Sequence, residues 1–167
     1  MKRLLFILTI TMFFGFNSYS QIQRNFFGCK LGESTKEEVY KILKDKGASK
    51  QTINGEKVIV LEEQRFGGIT WNTIIFKFIE NRFSSAVFML SEKEYSESAN
   101  DIVIKRLLEN LENKYAMYLK DNDSNKPSYS DGKTYIFITI SPLNTFILSY
   151  SDLGLSFKLI ESEQDEL

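Results

Sequence analysis

The segment NTIIFKFIENRFSSAVFML, residues 72–90, decides the fold. Its first half places Ile74, Phe76 and Phe78 at alternate positions, which is the period of a half-buried β-strand. A polar pair at residues 81–82 interrupts the apolar pattern, and the rest of the segment then resumes it. Two long apolar runs separated by a short polar break predict an antiparallel β-hairpin.

A helix and two further strands are predicted before this hairpin. Residues 25–27 predict a short edge strand. Ser34, with Glu37 three residues later, has the spacing of a capping box at a helix start. Apolar residues then recur at spacings of three and four, and Gly47 predicts the end of this helix. Residues 57–64 hold four consecutive apolar residues and predict the next strand.

The part of the chain after the hairpin repeats this order. A second, longer helix is predicted from about residue 96, with apolar residues at helical spacing as far as Tyr118. Three strands are predicted to follow, at residues 133–141, 145–151 and 155–160. The side chains predicted to point inward from the first of these strands are Ile136, Ile138 and Ile140.

The order of helix, three strands, helix, three strands predicts an α+β protein. We expect a two-layer fold of tandem α-β-β-β repeats, with an antiparallel sheet and the helices packed on one face. The predicted single domain spans residues 21–160, its halves cover about residues 31–90 and 96–160, and residues 161–167 form an acidic tail.

The first twenty residues have the features of a secretory signal peptide. Lys2 and Arg3 precede a thirteen-residue, largely apolar run, and small residues lie before Gln21. The run is shorter than the about 20 residues that a membrane span needs. We therefore expect export to the periplasm or outside the cell after cleavage between Ser20 and Gln21, and no transmembrane span in the mature chain.

Composition excludes several functional classes. The mature chain would hold 19 basic and 22 acidic side chains, so it lacks the positive charge typical of nucleic-acid binding. The sequence contains no histidine, which removes the commonest general base and metal ligand. We expect no catalytic residues, no metal site and no cofactor, and hence no enzyme activity.

Cys29 is the single cysteine, so it cannot form a disulfide within the chain. Two interpretations stay open from the sequence. Cys29 could be a buried free thiol, which is common for unpaired cysteines. It could also carry a lipid, although the apolar part of the signal ends at Phe16, well before it.

The sequence resembles two families of exported proteins. The pattern Leu31-Gly32-x-Ser34-Thr35-x-Glu37-Glu38-Val39, followed by a helix, a glycine and antiparallel strands, resembles the opening of BamE/SmpA-type envelope modules. The doubled α-β-β-β order resembles beta-lactamase inhibitor protein. Both resemblances imply export and binding to another protein, either as an envelope scaffold or through a sheet face.

Two groups of residues are candidates for partner binding. Phe66 and Trp71 flank a Gly-Gly pair, and tryptophan is enriched at binding hot spots. The alternative is a glycine turn that folds both rings onto the core. Tyr135, Phe137 and Ile147 would lie on the outer face of the last sheet, where they either bind a partner or pack on the other half of the protein.

These observations predict a non-catalytic role in protein binding or envelope scaffolding, with a protein of the cell envelope as partner. Two alternatives come from other functional classes. A carrier would hold a small apolar ligand between sheet and helices. A hydrolase would need a pair of carboxylates facing each other across a pocket, and the adjacent Glu62 and Glu63 point to opposite faces of a strand.

Overall fold

A computed structural model describes residues 21–91, 97–121, 127–141 and 145–165. The predicted signal peptide lies outside these residues. The helices are α1 Lys36–Leu43, α2 Glu97–Tyr115 and α3 Leu153–Asp165. The strands are β1 Asn25–Phe26, β2 Cys29–Lys30, β3 Ser49–Ile53, β4 Glu56–Phe66, β5 Ile69–Ile79, β6 Arg82–Leu90, β7 Leu119–Asp121, β8 Ser128–Ser130, β9 Thr134–Ile140 and β10 Phe146–Asp152.

Strands β3 to β10 form one antiparallel sheet in the order β3-β4-β5-β6-β10-β9-β8-β7. Each half of the chain contributes four strands that are neighbours in sequence. The halves join at the centre, where β6 pairs with β10 from Ser85 opposite Ser151 to Leu90 opposite Phe146. The first two strands form a separate hairpin, β1-β2. The α+β class and the large antiparallel sheet are confirmed.

The hairpin predicted at residues 72–90 is present as β5 and β6. Its turn lies at Glu80 and Asn81, which both have positive φ, so the turn is one residue earlier than predicted. The register shifts between Lys77 and Phe78, and Ser84 is the additional residue on β6. This bulge allows Phe83 and Ala86, three positions apart, to reach the same core.

The core lies between one face of the sheet and the N-terminal elements. Rows of side chains cross the strands, as in Phe76, Ala86, Tyr150 and Ile136, which are neighbours on four adjacent strands. Helix α1 contributes Val39 and Leu43 to this core, α2 contributes Leu111 and Tyr115, and the β1-β2 hairpin contributes Phe26 and Cys29. Ile136 and Ile138 point inward as predicted, whereas Ile140 is 53% exposed at the end of β9.

The start of α1 differs from the prediction by one residue. Thr35, and not Ser34, is the N-cap, because its hydroxyl accepts a hydrogen bond from Glu38 N and the Glu38 carboxylate accepts one from Thr35 N. Ser34 instead accepts a hydrogen bond from Lys30 N. Gly47 ends the helical segment with φ of 85°, as predicted.

The predicted strand at residues 155–160 is wrong, because this segment belongs to helix α3. Leu155, Phe157 and Leu159 alternate with polar residues, and this pattern predicted a strand. Both neighbours of β10 are already strands, so no edge is free for another strand there. The Asp152 carboxylate also accepts a hydrogen bond from Leu155 N, as an N-cap does. The helix continues through the predicted acidic tail to Asp165.

Helix α3 also corrects the expectation that the helices pack on one face. Helices α1 and α2 contribute to the core, whereas α3 lies near β5 and β10 on the opposite face of the sheet. Each half contains four strands instead of three, because the polar strands β3, β7 and β8 were not predicted. Within the described residues, no helix is long and apolar enough to cross a membrane.

Candidate functional site

The face of the sheet opposite the core is the candidate site. We call this surface the outer face. Because successive side chains of a strand alternate, it is formed by neighbours of the core residues on the four central strands. Its members are Thr73, Ile75, Lys77, Ser85, Val87, Met89, Tyr135, Phe137, Thr139, Ile147, Ser149 and Ser151.

The structure brings Tyr135, Phe137 and Ile147 together on this outer face, and we call these three residues the outer patch. Phe137 lies opposite Ser149 of β10 and is 37% exposed. Ile147 lies opposite Thr139 and is half-buried, as is Tyr135. The patch therefore presents an aromatic ring on a flat sheet surface, surrounded by small and β-branched side chains.

Helix α3 covers the neighbouring part of the outer face incompletely. Between the helix and the strands lies an open groove of about 580 Å³, which we call the outer groove. Ser156, Lys158 and Leu159 line it from the helix, and the strands contribute Lys77, Val87 and several serines. Ser156 and Lys158 fall within the predicted strand at residues 155–160, and the structure instead brings them to the outer face from a helix.

An ion pair fixes the first turn of α3. Asp152 is 8% exposed, and its Oδ2 atom lies 2.5 Å from Arg24 Nη2. Arg24 also donates hydrogen bonds to Thr134 Oγ1 and to the Leu31 carbonyl. The pair is partly buried, with side-chain exposures of 27% for Arg24 and 12% for Asp152, and these further hydrogen bonds together with the one from Leu155 N to Asp152 offset the hydration that both groups lose. The N-terminal segment thereby holds the end of β10 and the start of α3.

Phe66 and Trp71 do not belong to the outer face. Gly67 and Gly68 form the turn between β4 and β5 with φ of 61° and 84°. Trp71 is 1% exposed, and its Nε1 atom donates a hydrogen bond of 3.1 Å to the Phe66 carbonyl. The Phe66 ring stacks on Phe88 with 4.9 Å between ring centroids. The two rings fold onto the core, as the alternative interpretation predicted, so Trp71 offers no surface to a partner.

The pKa values of two carboxylates of α1, Glu37 and Glu38, are lowered, and hydrogen bonds at the helix start explain both shifts. The pKa of Glu38 is lowered mainly because its carboxylate accepts hydrogen bonds from the backbone and side chain of Thr35. The pKa of Glu37 is lowered mainly by a backbone hydrogen bond in the same helical turn. Both groups are fully exposed. Hydrogen bonds of this kind stabilise the ionised form at a helix start and do not raise a pKa toward neutrality, as a general acid needs.

Sequence reasoning missed the outer groove. Its serines come from β6 and β10, whose pairing joins distant parts of the chain, and from α3, which was predicted as a strand. The Ser84-Ser85 pair inside an otherwise apolar strand was an available signal. A second signal was the alternation of Ser149 and Ser151 with the buried Leu148 and Tyr150.

Comparison of the chain with protein-family models, curated proteins and solved structures found no significant match. The outer face and the outer groove are therefore interpreted from their own chemistry.

Proposed function

We propose that the protein is exported and acts without catalysis, by binding a protein of the cell envelope through the outer patch. The half-exposed ring of Phe137 carries this proposal. Aromatic side chains concentrate at binding hot spots, because they bury a large area at a small cost in conformational entropy.

The surroundings of Phe137 support the proposal. The opposite residue on β10 is Ser149, so a small side chain lies beside the ring. Ile147 and Tyr135 extend the apolar area along the same face. A flat surface with a central aromatic residue and a rim of hydroxyl groups is typical of the core and rim of a protein interface. The apolar run and cleavage pattern at residues 1–20 support export.

A photocrosslinking experiment tests the binding surface. The mature protein carries p-benzoylphenylalanine in place of Phe137 and is incubated with the envelope fraction of the source cells. We expect one dominant crosslinked protein. The matched control carries the same group in place of Tyr40, a half-buried aromatic residue of α1 on the other side of the sheet, and should not yield that product.

Loss of the aromatic ring gives a quantitative version of the test. Phe137→Ala should weaken the affinity for the crosslinked protein by about 30-fold, the loss typical of a hot-spot side chain. The variant should stay folded but unfold at a lower temperature, since a ring that is 37% exposed is still mostly buried, so binding is measured below that temperature. The proposal is wrong if Phe137→Ala and Ile147→Ala both bind the partner as tightly as the unchanged protein.

We also propose that the two halves arose by duplication of one unit, in line with the resemblance to the doubled beta-lactamase inhibitor fold. Helix α1 precedes the four strands β3 to β6, and α2 precedes the four strands β7 to β10. In each half the last strand lies at the centre of the sheet. A structure of a close homologue with detectable identity between its halves would test this proposal.

A further inference from the structure

We propose that the outer groove binds a neutral saccharide. This site adjoins the outer patch, since Ser149 and Ser151 lie opposite Phe137 and Tyr135, but its argument does not depend on a protein partner. It rests on the direction of the hydrogen bonds among the groove hydroxyls and on the Ser84 hydroxyl, which lines the groove and makes no hydrogen bond within the described residues.

Three hydroxyl groups of the groove, those of Ser85, Ser151 and Ser156, donate their protons to the protein. Ser85 Oγ donates to the Tyr150 carbonyl at 3.1 Å, and a carbonyl oxygen can only accept. The contact of 2.9 Å between Ser85 Oγ and Ser151 Oγ must therefore be donated by Ser151. Ser149 Oγ lies 3.5 Å from Ser151 Oγ and can extend the same chain.

The serine on the helix side of the groove also donates its hydroxyl proton to the protein. Ser156 Oγ donates to the Asp152 carbonyl at 2.8 Å. A serine hydroxyl has one proton and two lone pairs, so hydroxyls with a committed proton offer only acceptors to the groove. A ligand must then donate hydrogen bonds to Ser85, Ser151 and Ser156. Carboxylates and phosphates cannot do so, because their ionised oxygens only accept.

The Ser84 hydroxyl, which has no hydrogen-bond partner within the described residues, is a second observation that points to a ligand. The residue is 3% exposed and lines the groove, and its hydroxyl makes no hydrogen bond within the described residues. No side-chain oxygen of the described residues is both sealed from solvent and unpaired, so this hydroxyl reaches solvent through the groove that it lines. The Ser84 proton is therefore not committed to the protein and is available for a ligand acceptor in the groove.

The charged and apolar residues that line the groove favour a neutral ligand with an apolar face. The charges that line the groove are balanced, because Glu56 and Glu80 line it together with Lys77 and Lys158, and Lys77 Nζ lies 2.8 Å from Glu56 Oε2. A balanced lining favours a neutral ligand over an anion or a cation. A neutral sugar carries hydroxyls that donate to the serines and accept from Ser84 and the lysines. Val87 and Leu159 supply apolar surface for the C–H face of a sugar ring. The backbone groups of the sheet are paired in the ladder here, so an extended peptide cannot join it.

NMR titration of the mature protein tests this proposal. The probes are maltotriose, cellotriose and N,N′,N″-triacetylchitotriose, each at about 10 mM, a concentration that detects millimolar affinities. We expect amide shifts at Ser85, Ser151 and Ser156 with at least one of the three. Ser84→Ala and Ser151→Ala should each weaken that binding by about tenfold, the effect of one lost hydrogen bond.

Two controls distinguish this site from the outer patch and from a charged-ligand site. Phe137 does not line the groove, so Phe137→Ala should leave saccharide binding unchanged. Ser84 is 3% exposed on β6, so Ser84→Ala should leave partner crosslinking unchanged. Trigalacturonate, an acidic trisaccharide, should bind more weakly than the neutral probes. The proposal is overturned if no neutral probe shifts the groove amides, if the acidic probe binds as well, or if Ser84→Ala and Ser151→Ala retain full affinity.

Discussion

Single residues near the N-terminus connect the two halves of the molecule. Gly32 has φ of 82°, and a Cβ atom there would clash with the Asp152 carboxylate and the Arg24 guanidinium. Glycine is required both for this backbone conformation and for the approach of the ion pair. The glycine at position 32 of this chain is therefore explained by the local structure.

Cys29 is a second residue whose properties follow from its surroundings. It is fully buried in the β1-β2 hairpin as a free thiol, which agrees with one of the two interpretations of the sequence. Burial raises the pKa of the thiol from its ordinary 9.0 to about 11, because the thiolate loses its hydration. The thiolate is the reactive form, so this cysteine should be inert in the folded protein at neutral pH.

The raised pKa of Cys29 predicts how stability changes at alkaline pH. Between pH 9.0 and about 11 the folded protein keeps the thiol proton while the unfolded chain releases it. The unfolded state then binds fewer protons, so the free energy of unfolding falls as pH rises through this window and is unaffected below it. The slope from one such group is at most about 1.4 kcal/mol per pH unit.

Urea unfolding of the unchanged protein and of Cys29→Ala at several pH values checks this prediction. The variant should lose stability less steeply above pH 9.0. Tyr150, whose pKa is raised mainly by burial, affects both proteins alike and cancels in the comparison. Equal slopes in the two proteins would contradict the prediction.

At the scale of elements, the side chains of the long hairpin β4-β5 do not alternate between the two faces of the sheet along its whole length. Ile59 and Leu61 point to the core, yet so does Phe66, five positions after Leu61. Glu63 lies between them with φ of 50°, a left-handed conformation that side chains disfavour. This residue changes the phase of the strand, which turns Phe66, and Trp71 on β5, onto the core.

Adjacent glycine substitutions test the role of Glu63. Glu63→Gly should raise the free energy of unfolding by about 0.5–1 kcal/mol, because glycine adopts positive φ without strain. Glu62→Gly is the matched control, since both side chains are exposed and only Glu63 has positive φ. That control should lower stability by about 0.5–1 kcal/mol, as glycine does inside strands. Effects of the same sign, measured by urea unfolding, would disprove this explanation.

The capping box of α1 gives a prediction for a helix. Thr35→Ala should lower the free energy of unfolding by about 1 kcal/mol, because Glu38 N loses its hydrogen-bond acceptor. Thr35→Ser keeps the hydroxyl and should retain most of the stability. Chemical denaturation of both variants checks this assignment, which fails if Thr35→Ser is destabilised as much as Thr35→Ala.

The elements that could be predicted from the sequence share a physical property. Strands β5, β6, β9 and β10 bury mainly one face, so their apolar residues show the period of a strand. Strand β4 buries four consecutive residues, 58–61, and was predicted from that continuous apolar run. The edge strand β3 is almost entirely exposed and contains mostly polar residues, so its sequence has no such period. Residues Ser49–Ile53 form a strand because they pair with β4, and this pairing is not visible in their own sequence.

The candidate site was predictable in part for the same reason. The outer patch follows from the alternation of β9, which places Tyr135 and Phe137 opposite the buried Ile136 and Ile138. The outer groove needs the pairing of β6 with β10 and the position of α3. Neither can be obtained from a local pattern, because both bring together residues more than 60 positions apart, such as Ser85 and Ser151.

At the scale of the whole molecule, the N-terminal segment completes the fold. Ile22 is 1% exposed, and its backbone N–H donates to Asp131 Oδ2. Gln23 N donates to the Tyr115 hydroxyl of α2, and Arg24 bonds to Asp152. Three consecutive residues thus contact the β8-β9 connection, α2 and the start of α3. Signal cleavage before Gln21 would leave all of these contacts intact.

Truncation from the N-terminus tests this role. A chain that begins at residue 25 should lose at least about 4 kcal/mol of stability, because it lacks the buried Ile22 and leaves Asp152 without its ion-pair partner. A chain that begins at residue 22 lacks only the exposed Gln21 and should be as stable as one that begins at residue 21. Thermal unfolding of the three chains measures the difference, and equal stability of all three would contradict the role.

The sequence by itself determined the α+β class, the five long strands, the first helix and the absence of histidine chemistry. These properties depend on apolar periods within single segments and on the composition of the whole chain, and both can be read without knowing which segments pair. Tertiary structure alone decided that residues 155–160 form a helix, that Trp71 is buried, and that serines of β6, β10 and α3 share a groove. The physical reason is that strand pairing and burial depend on what lies opposite a residue, and for these residues the opposite side belongs to a distant part of the chain.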